Sequence, residues 1–144
     1  AEYPVVGTRI DLNDGSYHDV DSSEKAFYTA AQGCFREYFK QAAPKLLEPI
    51  MKVEIECPED FQGTVVGDVI RRRGIMSSND IVDGNSVIIA EVPLAETFGY
   101  ATDLRSMTQG QGTFTMELAT YRETPSNVQE EIIDMKRKEK EAKK

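Results

Sequence analysis

The side chains able to do chemistry are few and scattered. His18 is the only histidine, so a nucleophilic Ser or Cys has one general base available, and no spacing signal builds a triad around it. Cys34 and Cys57 form no CxxC pair and, with one histidine, are too few for a zinc set. Asp11, Asn13, Asp14, Asp19 and Asp21 cluster. Counted as a calcium loop from Asp11, however, the glycine falls one residue early and the twelfth position is Ser22. Gly63-Thr64-Val65-Val66-Gly67 is followed by Asp68 rather than Lys, so it is no phosphate-cradling P-loop. Gly110-Gln111-Gly112 lacks a third glycine, because position 115 is Thr, and it precedes a strand pattern rather than a helix. Two features remain. One is an aromatic–histidine pair, Tyr17-His18, flanked by Ser16 and Asp19. The other is the run Arg71-Arg72-Arg73. On residue types alone these read as a solvated turn and as a helix end meeting its own dipole.

The elements that position them follow from pattern. The chain has 144 residues, 40% hydrophobic and 29% charged, which fits one ordinary domain or two small ones with a real core. The net charge of −8 argues against a free-standing nucleic-acid binder, so any RNA contact must be a local basic patch. No apolar run reaches 18 residues, so no transmembrane helix and no membrane partner are expected. No leader pattern opens the chain, and the sparse cysteines fit a reducing cytoplasm. The opening Ala1-Glu2-Tyr3-Pro4 reads as a cut from something longer.

Residues 3–12 alternate loosely as a half-buried strand and run into the turn cluster Asn13-Asp14-Gly15-Ser16. Asp21, with Glu24 three residues on, marks a helix start, and apolar residues from Ala26 to Ala42 recur at helical spacing until Pro44. Lys45 to Ile50 reads as an extended connector. From Met51 the pattern gives a strand; then a helix from Pro58 carrying Val65, Val66, Val69 and Ile70 and ending at Gly74; then a strand from Ile75. A turn at Asp83-Gly84 leads to the strand Val87 to Val92, then to a helix holding Leu94, Phe98, Leu104 and Met107, and to a last strand from Thr113. The order β-α-β-β-α-β is the ferredoxin-like arrangement. Its third strand lacks the aromatics of an RNA-recognition sheet. Pro125-Ser126-Asn127 opens a C-terminal helix.

Several strings are recognisable. Gly15 to Glu24 (GSYHDVDSSE), Leu46 to Glu54 (LLEPIMKVE), Arg72-Arg73-Gly74, Glu91-Val92-Pro93-Leu94 and Phe98 to Ser106 (FGYATDLRS) resemble the C-terminal part of the bacterial elongation factor G family. The resemblance covers essentially the whole chain in the family's order. It implies an α+β chain: residues 1–49 as a partial domain IV (a ribosomal S5 domain 2-like half), 50–124 as a ferredoxin-like domain V, and 125–144 as the C-terminal helix. Lacking a P-loop, a metal set and a triad, the chain is expected to have no catalytic site, metal or cofactor of its own, and the resemblance implies that GTP and Mg²⁺ belong to an N-terminal domain of the parent. The implied partner is the ribosome. Domain IV would reach the decoding region and A-site tRNA, and domain V the sarcin–ricin loop and stalk base, in the tRNA–mRNA translocation of a cytoplasmic GTPase. Ser16, Tyr17, His18 and Asp19 fall at the domain IV tip loop, and Arg71, Arg72, Arg73 and Arg105 become candidate RNA contacts. The acidic net charge fits a factor that must leave its RNA after each round. Gln111-Gly112 stands where many relatives have Arg-Ala, a departure that would suit a paralogue acting in ribosome recycling. A tetracycline-protection type of factor ranks below both, and the rival from another class is a stand-alone RNA- or protein-binding module.

Overall fold

The computed structural model describes residues 2–143, which divide into two compact units. One comprises residues 2–46 with 125–143, the other Leu47–Thr124. In chain order the elements are α1 (Glu24–Tyr38), β1 (Leu47–Pro58), α2 (Gln62–Arg71), β2 (Ile75–Val82), β3 (Asn85–Pro93), α3 (Tyr100–Met107), β4 (Thr113–Glu123) and α4 (Ser126–Ala142). Single 3₁₀ turns follow α1 and precede α2 and α3.

In the first unit the expected strand over residues 3–12 does not form: residues 2–22 hold neither helix nor strand. The physical reason is partnership. A strand satisfies its backbone groups only against a neighbour, and none of the four strands pairs with this segment. α1 forms as expected but starts later. Its N-cap is Ser23, not Asp21, with the Ser23 hydroxyl accepting from the Ala26 N–H at 3.1 Å. Its apolar stripe covers nothing: no α1 residue is buried, Phe35 and Phe39 stack at 5.0 Å, and Phe27 and Tyr38 remain exposed. In α4 the first turn is closed by backbone alone, Gln129 N–H to Pro125 C=O at 2.9 Å, rather than by a side-chain cap.

The second unit is a four-stranded antiparallel sheet in the order β2-β3-β1-β4 with α2 and α3 as its two helices, an α+β fold of the ferredoxin-like kind. Strand β1 begins at Leu47, so residues 47–50 belong to the sheet rather than to a connector. Period-2 alternation sends Val53, Ile55 and Cys57 of β1 and Ile88, Ala90 and Val92 of β3 into one core. There they meet Val65 and Val69 of α2 and Tyr100 and Leu104 of α3. Ile70 and Phe98, expected among the helical apolar residues, are 63% and 75% exposed, and Phe98 lies outside α3 altogether. The β2–β3 hairpin turns on Asp83 and Gly84 at φ 51° and 81°, the left-handed pair of a type I′ turn. Each edge strand carries a register shift against its neighbour, β4 beside Ile50/Met51 and β2 between Met76 and Ser78. Such bulges twist an edge away from pairing with another chain.

The end of α2 decides how the helix meets the sheet. The Arg73 N–H donates to the Ile70 carbonyl at 3.0 Å and the Gly74 N–H to the Val69 carbonyl at 2.9 Å, a Schellman closure. The residue at positive φ is Arg73, at 59°, not Gly74 as the sequence suggests. Glycine is needed one position later for space. A Cβ on Gly74 would lie 2.6 Å from Val69 Cγ1, 2.7 Å from the Val69 carbonyl oxygen and 3.0 Å from Val92 Cγ2. Gly67, inside α2, has nothing within 4 Å of such an atom. Gly74→Ala therefore costs about 1–3 kcal/mol by overpacking, whereas Gly67→Ala gains about 0.5–1 kcal/mol of helix propensity. Urea unfolding followed by circular dichroism reads the two opposite shifts.

Candidate functional site

The sequence candidates fall into two groups, one in each unit. In the first, the loop before α1 is fixed by its own backbone. The His18 N–H donates to Ser22 Oγ at 2.8 Å, and the Ser22 N–H donates back to the His18 carbonyl at 3.0 Å. Just upstream, the Gly15 N–H donates to Asp14 Oδ1 at 2.7 Å. These local bonds leave the side chains outward: Ser16, Tyr17, His18 and Asp19 are all exposed, Tyr17 by 67%. The loop thus presents an aromatic ring and an imidazole in one place, with a hydroxyl and a carboxylate beside them, a set able to stack on a base and to hydrogen-bond its edge. Ser22 was not singled out by sequence. No local sequence rule marks it, because its hydroxyl accepts from a backbone N–H four residues earlier.

The second group is arranged differently. Arg72 is drawn inward, its side chain 11% exposed, and all three of its nitrogens are engaged. Nε donates to Asp68 Oδ2 at 2.7 Å, Nη1 to the Glu96 carbonyl at 2.7 Å, and Nη2 to Asp103 Oδ2. Its guanidinium carbon lies 5.0 Å above the centre of the Tyr100 ring, which meets Phe114 edge-on. Arg73 grips both oxygens of Glu48, at 3.0 and 3.1 Å, and reaches Glu96 Oε1 at 3.2 Å. Among the described residues Arg71 pairs only with Asp68, and it keeps 74% of its side chain in solvent. Arg105, on α3, is exposed. The structure therefore brings Arg71, Arg72 and Arg73 together with Asp68, Glu48, Glu96 and Asp103. Among these arginines it turns only Arg71 and Arg105 mainly outward.

Asp68 is the centre of that cluster. Its side chain is 3% exposed, and burial by itself would raise its pKa; the hydrogen bonds from Arg72 and Arg71 outweigh burial and hold the carboxyl below its ordinary value. Burial pushes up the hydroxyl of Tyr100 and the thiol of Cys57, so neither is charged near neutrality. Among the described residues no group of three or more His, Cys, Asp or Glu side chains could hold a metal ion. The sheet surface opposite the core carries Glu54, Glu56, Glu91 and Glu117 against Lys52 and Arg122, with the register Lys52↔Glu91 and Lys52↔Glu117 and Arg122 reaching Glu91 at 2.6 Å, so it stays net acidic. Such a face repels phosphates.

Gly112 sits where packing leaves no room for a side chain. A Cβ on Gly112 would lie 2.7 Å from Thr108 Oγ1 and 3.1 Å from Leu104 Cγ. The Gly112 N–H donates to that same hydroxyl at 2.8 Å. Glycine at 112 goes with buried Thr108.

Comparison with known proteins places these features. The family model described as Elongation factor G C-terminus matches residues 45–132, and the one described as Elongation factor G, domain IV matches residues 1–43. An elongation factor G of Rhodopirellula baltica is 84% identical over 139 residues, which is 96% of this chain and 20% of that protein. The present chain thus spans about a fifth of the length of this relative. A crystal structure of a protein from Thermus thermophilus superposes with a TM-score of 0.72 at 38% identity, covering 87% of this chain and 19% of that one.

The electrostatics at Asp68 give a pH test. A carboxyl held below its unfolded pKa contributes stability that is present above the ordinary carboxylate range, near 3.8, and is lost as pH falls through the lower folded value. Asp68→Asn is expected to flatten the acid limb of the stability profile below about pH 4. Arg72→Ala, which leaves the buried carboxylate short of its main partner, is expected to cost about 3 kcal/mol. Arg71→Ala removes an exposed contact and should cost under about 1 kcal/mol. Urea midpoints measured from pH 2 to 7 check all three.

Proposed function

Because this chain belongs to the elongation factor G family, we propose that it is the ribosome-contacting C-terminal part of a cytoplasmic translational GTPase that promotes tRNA–mRNA translocation. In this reading residues 1–49 are the second half of domain IV, 50–124 are domain V and 125–144 are the terminal helix. GTP and Mg²⁺ are held by an N-terminal domain of the parent. The catalytic step is thus remote, and this part works by contact. The observation that carries the reading is the outward tip loop, with Tyr17 and His18 exposed on a backbone tied by Ser22. A pinned aromatic–imidazole pair is suited to following a nucleic-acid partner, here the A-site tRNA in the decoding region.

For domain V we propose that Arg71 and Arg105 meet phosphates of the sarcin–ricin loop and stalk base. Arg72 and Arg73, whose donors face carboxylates, hold the surface from which Arg71 projects. The acidic sheet face supports assigning contact to this helix end rather than to the sheet.

Two measurements test this. His18→Ala in the full-length parent is expected to slow translocation about tenfold, the loss of one contact worth about 1–2 kcal/mol, with GTP hydrolysis on the ribosome nearly unchanged. Equal loss of both rates would overturn the role. Arg71→Ala and Arg105→Ala are each expected to lower the salt slope of ribosome binding by about 0.7–0.9. An unchanged slope in both would remove the proposed phosphate contacts.

A further inference from the structure

The charge of this chain is unevenly distributed. Residues 135–144 carry six bases and two acids, a net +4, so the preceding 134 residues hold −12 of a chain whose total is −8. That concentration lies at the end of α4, and the helix repeat places Lys136, Lys140 and Lys143 at i, i+4 and i+7 on one face. With a rise of 1.5 Å per residue, their attachment points are about 6 and about 4.5 Å apart along the axis, the scale of successive phosphates on a nucleic-acid strand. The same face is lined by Tyr3. Lys136 Nζ lies 6.0 Å from the Tyr3 ring centre, the ring is 49% exposed, and the surface between them forms an open depression of about 500 Å³. The carboxylates facing this stripe are Glu2, on Lys140, and Glu139, on Lys136, and both pairs are solvent-exposed. Exposed pairs of this kind are weak and exchange readily for a polyanion.

We infer that the Lys136–Lys140–Lys143 face of α4, with the Tyr3 ring beside it, is a second RNA-backbone surface, separate from the tip loop and from Arg71. The lysines would track phosphates, and the ring would give one base a stacking partner. The choice of RNA over a lipid surface comes from the apolar residues. Beside Tyr3 the depression is lined by one aliphatic side chain, Ile133, and the basic stretch itself holds only Met135 and Ala142, too little apolar surface to anchor the stripe in a bilayer. That the RNA is ribosomal rests on the function proposed above; the surface itself does not.

The test uses the 144-residue chain and its variant Lys136→Gln/Lys140→Gln/Lys143→Gln, in which glutamine keeps helix propensity. Three probes are titrated across a salt series: intact ribosomes, a 30-nucleotide single-stranded RNA, and phosphatidylserine vesicles. Circular dichroism confirms that α4 is retained in the variant. The expected result is a salt slope on ribosomes and on the RNA that falls by about 2 in the variant, while Lys52→Gln, on the acidic sheet face, leaves it unchanged. Tail-dependent binding to the RNA without binding to ribosomes would support the surface and overturn the ribosomal function. Ribosome binding with an unaltered slope would overturn the surface and spare that function. Tail-dependent binding to the vesicles alone, or binding to none of the probes, would overturn the surface.

Discussion

A carboxylate buried to 3% exposure at the end of a helix has to be answered by positive charge, and Asp68 is answered by Arg72 and Arg71. Once Arg72 is committed to Asp68, its other nitrogens bind Asp103 and the Glu96 carbonyl, which ties the C-terminal turn of α2 to the start of α3. Tyr100 then packs beneath the guanidinium and brings Phe114 of β4 against the same core. Arg73 follows one residue later. In the left-handed conformation that closes the helix, it reaches Glu48 at the start of β1. The backbone turn leaves Gly74 pressed between Val69 and Val92. Helix end, sheet start and helix start are thus joined through adjacent arginines, and the outward position of Arg71 follows from the inward position of Arg72.

In the function proposed, this division of labour among like charges is how an acidic chain would touch RNA. The proposed contacts are few and local: an aromatic–histidine loop, Arg71 and Arg105 outside the arginine–carboxylate cluster, and a basic stripe on α4. The sheet face of Glu54, Glu56, Glu91 and Glu117, net acidic even with Lys52 and Arg122, disfavours phosphate. In that reading, affinity built from a small number of charge contacts stays modest, each contact adding only about 0.7–0.9 to the salt slope, which suits a factor that binds and leaves repeatedly.

Periodicity revealed the second unit almost completely. Alternation in β1 and β3, the Asp83-Gly84 turn and the valines of α2 place the ferredoxin-like order without a structure, because those signals are local and the core they build is contained in residues 47–124. The first unit was less legible for the opposite reason. Residues 3–12 carry a strand pattern, but pattern without a neighbouring strand leaves the backbone groups unpaired. The start of α1 moved from Asp21 to Ser23 because a cap is chosen by backbone geometry that two nearby candidates share in sequence. Of the site, the tip loop was visible as odd residues in a turn, whereas the Ser22 bonds behind it were not. The arginine run concealed a difference that only three dimensions supply: adjacent residues at a helix end point in different directions, so one faces mainly solvent while two reach, besides the nearby Asp68, carboxylates that lie 23 to 31 positions away in sequence.

The central claim is that Asp68 and Arg72 act as one unit on which the fold of residues 47–124 depends. A double-mutant cycle measures it most directly, with Asp68→Ala, Arg72→Ala and the double variant unfolded in urea at pH 7 in a Gly67→Ala background. Contacting, network-coupled residues give interaction energies of about 0.5–3 kcal/mol, and this account predicts a coupling above about 1.5 kcal/mol, with the double variant less damaged than the sum of the single ones. Effects that add to within about 0.5 kcal/mol would contradict it, and would return Arg72 to the set of side chains available for RNA.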